Sequence, residues 1–220
     1  MKMEVQWLLW TVFSILVFRF AFALWSTGRA LAPCLSKRPF CTLIVLGSGG
    51  HTAEMLDLVS MLNHERYSPR CYVAALTDNM SLSKAQRLEE SFIPQAAANH
   101  KARYLQIYRS REVGQSYLTS MVTTTIGMAH GLWIVFRIRP DIILCNGPGT
   151  CLPICIAGFL LKILSFKWVV MVYIESIARV RKLSLTGLLL YKLCLMDQFF
   201  VQWPKLKNKF PRAQYVDRLM

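Results

Sequence analysis

CTLIVLGSGGH, residues 41–51, is an unbroken apolar run, then a glycine turn, then a histidine. A short continuous apolar run is the mark of a strand buried on both faces, as in a parallel sheet. Glycines let the backbone turn sharply and let a ligand approach it. Beyond the turn, Met55, Leu58, Val59 and Leu62 fall at helical spacing, which predicts a helix over His51–Leu62. Strand, glycine turn and helix start together form an anion-friendly corner. The first helical N–H groups have no partner within the helix, and the dipole is positive at that end.

The pattern repeats downstream. Strands are predicted at Cys71–Leu76, Arg103–Tyr108, Asp141–Cys145, Trp168–Ile174 and Gln198–Val201. Helices are predicted at Ser81–Glu90, Ser116–Arg137 (with a break near Gly127 or Gly131), Pro153–Leu164 and Leu183–Leu195. Alternating strands and helices imply an α/β fold, a Rossmann-like parallel sheet with helices on both faces. A second glycine turn, Asn146-Gly147-Pro148-Gly149-Thr150, follows the strand at 141–145. Ligands of such sheets bind beyond the carboxyl ends of the strands, so the two turns predict one shared anion pocket.

Upstream, Val5–Trp25 reads VQWLLWTVFSILVFRFAFALW. As a helix its 21 residues span roughly 31 Å at ~1.5 Å per residue, enough to cross a hydrocarbon core. Trp7, Trp10 and Trp25 lie near its ends, and Arg19 is close enough to the second end to snorkel. The rival is a cleaved signal peptide, with Ala21-Phe22-Ala23 as the cleavage site. Lys2 and Glu4 make the n-region nearly neutral, which favours an uncleaved anchor. Arg29, Lys37 and Arg38 on the far flank outweigh Lys2, which puts the body of the chain in the cytosol. The sequon at Asn79 would then be out of reach of lumenal glycosylation. The organisation expected is an anchor over 1–28, a linker over 29–40 and an α/β domain over 41–220.

Composition fits this division. The chain has 220 residues, 54% apolar and 17% charged, which excludes disorder and low-complexity scaffolds. Mean hydropathy is +0.35, high for a soluble protein and low for a multi-span transporter. The net charge is +14, and nine basic residues from Arg179 to Arg218 face only Asp197 and Asp217. Such a surplus suits phosphate-bearing substrates, an anionic membrane surface or nucleic acid. The basic stretch Lys205–Arg212 carries no nucleic-acid recognition motif, so nucleic acid is not an expected partner. Seven cysteines, with no C-x-x-C pair, read as buried small hydrophobes in a reducing compartment rather than as disulfides or a metal site.

His51 has the most chemical promise, since a neutral imidazole can act as a general base. Its alternatives are to cap the turn or to touch phosphate without proton transfer. Glu175, at the end of the strand over 168–174, is expected to project to the same rim and bind a sugar hydroxyl or pair with Arg179, Arg181 or Lys182. Arg109 and Arg111 are candidates for a diphosphate. A dinucleotide site is the competing interpretation, with Asp78 as the ribose acid; Thr52 stands where the third glycine of G-x-G-x-x-G belongs. No G-K-[ST] follows either turn, which removes a kinase-type phosphate loop.

GSGGH at 47–51, RSRE at 109–112, RPDIILCNGPGT at 139–150, VYIES at 172–176 and VQWP at 201–204 resemble a known family. It is the family of membrane-anchoring, acceptor-side subunits of the eukaryotic UDP-N-acetylglucosamine transferase for dolichol-linked sugars, the fourteenth asparagine-linked glycosylation factors. The resemblance runs from about Thr42 to the C-terminus. More distantly, the pattern is similar to the acceptor half of the bacterial lipid II-forming glycosyltransferase.

The resemblance implies the N-terminal half of a split GT-B glycosyltransferase that needs no cofactor or metal. A soluble subunit would bring UDP-GlcNAc. The pair would add the second, β1,4-linked GlcNAc to GlcNAc-diphosphodolichol on the cytosolic face of the endoplasmic reticulum. The C-terminal tail would help dock the partner. By the same likeness His51 would deprotonate the acceptor's 4-hydroxyl for inverting attack, and Glu175 would lie near the acceptor. VYIES lacks the fuller histidine-glutamate-glutamine-asparagine string of the bacterial relatives. The acceptor- and phosphate-binding set is then Gly47, Ser48, Gly49, Gly50, Arg109, Arg111, Asn146, Gly147, Gly149, Thr150 and Ser176, with His51 and Glu175 catalytic. The alternatives are a non-catalytic membrane scaffold for a partner and a membrane-tethered, nucleotide-dependent oxidoreductase.

Overall fold

A computed structural model describes residues 2–27, 38–78, 80–92, 102–108, 117–147 and 149–217. Asn79, Arg109, Arg111, most of the linker and Pro148 lie outside the described residues. In chain order the elements are α1 (Lys2–Ser26), β1 (Thr42–Val45), α2 (Gly50–Ser60), β2 (Arg70–Ala75), α3 (Ser81–Phe92) and β3 (Arg103–Ile107). They continue with α4 (Tyr117–Ile138), β4 (Ile142–Cys145), α5 (Cys151–Ile163), β5 (Val170–Ile174), α6 (Leu185–Lys192), β6 (Gln198–Val201), α7 (Pro204–Lys209) and β7 (Gln214–Tyr215).

The strands form one parallel sheet in the order β3-β2-β1-β4-β5-β6-β7. Successive strand residues face opposite sides. Leu43, Val45, Ile143, Cys145, Met171 and Tyr173 accordingly join the core under α4, α5 and α6. Ile44, Leu46, Tyr72, Ala74 and Leu144 join the core under α2 and α3. With both faces covered, the central strands β1, β2, β4 and β5 are buried almost throughout, which is why they read as runs rather than alternations.

Three features correct or extend the sequence expectations. First, α4 runs unbroken through Gly127 and Gly131. Gly131 instead lets α4 close on α5: a Cβ there would stand 3.2 Å from the side chain of Pro153. Second, the basic C-terminal stretch is structured. Pro204 starts α7, Leu206 and Ala213 are buried, and Gln214–Tyr215 extends the sheet beside β6. Third, the last turns of α1 belong to the body. Ala23 is buried, Phe20 packs edge-on against Phe159, and Phe22 packs against Trp168.

The rest of α1 is exposed apolar surface, and α1 is the one helix among the described residues long and apolar enough to cross a membrane. Helix α5 is a core element. Its Lys162 is fully buried, lies near the Trp168 ring and pairs with the buried Asp197. Burial pushes the Lys162 ammonium below its ordinary pKa, and the Asp197 charge opposes that.

Candidate functional site

The strand order reverses direction between β1 and β4, and the crevice of an open α/β sheet opens at that switch point. Val45 and Cys145 are paired across it. Gly47 and Gly147 each follow two residues later, so both glycine turns leave the sheet at one level, side by side.

His51, in the first turn of α2, closes the gap between them. Its Nδ1 lies 3.2 Å from Oδ1 of Asn146. Its ring rests on the second turn: a Cβ at Gly147 would stand 2.6 Å from His51 Cε1. Gly147 also has φ +75°, so glycine is required there by backbone and by space. The two glycine turns therefore stand side by side, with the His51 ring between them. Gly49, with φ +61°, and Gly50 and Gly149 border open space, with nothing within 4 Å of an added Cβ. Thr150, at the start of α5, is 4% exposed, and its hydroxyl has no hydrogen-bond partner. Backbone N–H groups at the start of α2 and α5 beside that open space suit an anion.

The first turn is tied down from behind. Thr52 donates to the Gly47 carbonyl at 2.5 Å and lies 2.6 Å from the Ser81 hydroxyl. The Asp78 carboxylate accepts from Met80 N, Ser81 N and Ser81 Oγ, which caps α3. Thr52 and Asp78, the two residues on which a dinucleotide site would turn, are thus engaged in holding the loop.

Glu175 departs from expectation. It is 1% exposed and does not project to the open rim. One carboxylate oxygen accepts from Ser184 N at 2.9 Å and Ser184 Oγ at 3.1 Å, and the other from Ser176 N at 3.2 Å. A Cβ at Gly187 would come within 2.5 Å of Glu175 Oε2. The carboxylate therefore holds the chain where α6 begins, with Ser184 capping that helix through Gly187 N. Burial raises its pKa above the ordinary carboxylate value, while the Ser184 hydrogen bonds, and less strongly Arg179, pull the other way. Arg179, Arg181 and Lys182 are exposed on the loop before α6.

Ser176 turns to the other face. Its hydroxyl donates to Glu54 Oε1 at 2.7 Å, and Asn146 Nδ2 donates to Glu54 Oε2 at 2.8 Å. Glu54 was not a sequence candidate. Its one available signal was its place on α2, three residues after His51 and so on the same helix face. The VQWP motif also finds its role: Gln202 donates to the Glu175 carbonyl and Trp203 Nε1 to the Ile177 carbonyl, bracing the loop after β5. Arg109 and Arg111, the diphosphate candidates, lie outside the described residues.

Residues 42–219 match the family described as "Oligosaccharide biosynthesis protein Alg14 like". The chain is 47% identical over 199 residues to the Rattus norvegicus "UDP-N-acetylglucosamine transferase subunit ALG14", covering 90% of each chain. It is 46% identical over 184 residues to the Homo sapiens protein of that name, covering 81% of this chain and 82% of the other. The Schizosaccharomyces pombe protein is 44% identical over 194 residues, covering 86% and 89%. Among solved structures the fold is similar to MurG of Acinetobacter baumannii, with a TM-score of 0.52 and 15% identity. The match covers 80% of this chain and 44% of MurG. The Rossmann-like sheet expected of one half of a GT-B glycosyltransferase is the fold observed.

Proposed function

The chain belongs to the Alg14 family of oligosaccharide biosynthesis proteins, and from that premise we propose that it is the membrane-anchored, acceptor-holding subunit of a UDP-N-acetylglucosamine transferase. Its acceptor is GlcNAc-diphosphodolichol, and a soluble subunit supplies the UDP-GlcNAc site. The observation that carries this proposal is the seating of His51 against Asn146 and Gly147, which joins the two glycine turns at the carboxyl edge of the sheet.

The acceptor's diphosphate lies over Gly49, Gly50 and Gly149, between the starts of α2 and α5. His51 takes the proton of the acceptor's 4-hydroxyl as that oxygen attacks the anomeric carbon of the donor sugar. The C1–O bond to UDP breaks, and the configuration inverts. Glu175 is a positioning residue in this scheme, because its carboxylate is spent on the start of α6. Helix α1 spans the endoplasmic reticulum membrane with the body on the cytosolic side, in keeping with Arg29, Lys37 and Arg38 on its C-terminal flank. The sheet edge formed by β6, α7 and β7, with its lysines, is offered for partner docking.

Membranes carrying this chain are expected to elongate GlcNAc-diphosphodolichol only when the soluble subunit and UDP-GlcNAc are both added. Elongation by the purified chain alone would contradict the proposal. His51→Ala should abolish elongation while still recruiting the soluble subunit. Full activity in that variant would leave a scaffold role only.

A further inference from the structure

We propose that Glu54 and Asn146 are positioning residues that fix the tautomer of His51, keeping the hydrogen on Nδ1 and leaving Nε2 as the proton-accepting nitrogen. The inference rests on the proposed function only in taking Nε2 as the base; the tautomer itself follows from hydrogen-bond chemistry.

The argument starts at Glu54. An ionised carboxylate only accepts. Asn146 must therefore present its NH2 group to Glu54, as observed at 2.8 Å. That choice turns the amide oxygen toward His51 Nδ1, 3.2 Å away. An amide oxygen also only accepts, so Nδ1 must carry the hydrogen. The opposite tautomer would set two lone pairs face to face. Nε2 has no hydrogen-bond partner among the described residues.

The far end of the relay is held as well. Ser176 Oγ donates to the second Glu54 oxygen at 2.7 Å and accepts from Ala178 N at 3.3 Å. The carboxylate is thus tied to the β5 loop on one side and to the β4 turn on the other. The ring is clamped against Gly147, so its orientation is set along with its tautomer. An intervening amide differs from a carboxylate in direct contact with the imidazole. It orients the ring without a full charge beside it, through the outer-shell logic by which such partners tune a histidine.

The test is nitrogen NMR of the full chain with isotope-labelled histidine in detergent micelles. The chain has four histidines, and a His51→Gln spectrum assigns the signal of interest. At a pH where the ring is neutral, His51 Nε2 should resonate as an unprotonated nitrogen and Nδ1 as a protonated one. Glu54→Ala frees the amide, and the signals should shift toward the Nε2–H form that a free imidazole prefers. Exchanging the two groups, in Glu54→Gln with Asn146→Asp, restores the order of donors and should restore the Nδ1–H form.

In the assay with the soluble subunit, Glu54→Ala should lower kcat about 10- to 100-fold, on the scale of other outer-shell partners. KM for the lipid acceptor should change little, and the exchanged pair should recover most of the loss. A protonated Nε2 in the unsubstituted chain overturns the proposal, and that spectrum needs no variant to fold. An unchanged tautomer in a folded Glu54→Ala also overturns it. If the tautomer follows the relay but His51→Gln keeps full activity, the relay stands and the base assignment in the proposed function fails.

Discussion

Glu54 and Glu175 are both acids at the carboxyl edge of the same sheet, and they meet different fates. Glu54, half-buried on α2, receives Asn146 and Ser176 beside the crevice. Glu175, sealed under α6, receives Ser184 and the N–H of Ser176. The chain divides between them at one peptide. Glu175 lies two residues past Tyr173 and shares its face; Ser176 falls on the other. On a two-faced sheet a single step in sequence thus separates a structural acid from one that borders the site.

Three tests bear on that contrast. The largest effect is expected from Gly147→Ala, which drives a Cβ into the His51 ring and strains a backbone at φ +75°. Elongation should fall about 100-fold, the scale of an ångström-sized misplacement, with the body still folded. Gly149→Ala is its control. It meets nothing within 4 Å, so it should leave melting unchanged and act on acceptor binding alone. Equal losses of kcat in the two variants would break the distinction between ring clamp and ligand space.

Next comes Glu175→Ala. It leaves Ser184 N, Ser184 Oγ and Ser176 N without their acceptor, at a cost of about 1–3 kcal/mol. Thermal melting in detergent should drop, with kcat following the folded fraction. Unchanged melting with lost turnover would make Glu175 an acceptor-contacting residue and erase the contrast with Glu54.

The smallest effect is in pH. The folded Glu175 pKa is raised above the unfolded value of about 4.5, so the folded state binds that proton more tightly. Its contribution to stability is complete below the unfolded value and is lost as pH rises through the folded one. Melting temperature should therefore decline across that window in the native chain, and decline less in Glu175→Gln. Parallel curves would mean that the carboxylate is well solvated.

Much of the fold was legible because buried parallel strands announce themselves. The expected strands from 41–46 through 198–201 all appear, with ends shifted by a residue or two. Both glycine turns were legible because their conformations demand glycine: Gly49 and Gly147 have positive φ. Gly131 misled for the opposite reason, since a glycine that looks like a helix break is there for close packing on Pro153. α7 and β7 were hidden because six helical and two strand residues carry no period of their own.

The amino-acid order by itself determined a strand-and-helix alternation, an apolar first helix, and two glycine turns that had to sit at strand ends. Local preferences and burial patterns suffice for that. Which helix covers which face was decided only when the sheet closed in the order β3-β2-β1-β4-β5-β6-β7. That closure brought Glu54, His51, Asn146 and Ser176 together from three distant segments and shut Glu175 away. Hydrogen bonds between residues about a hundred positions apart leave no mark on the periodicity of either segment, so only the folded chain could disclose them.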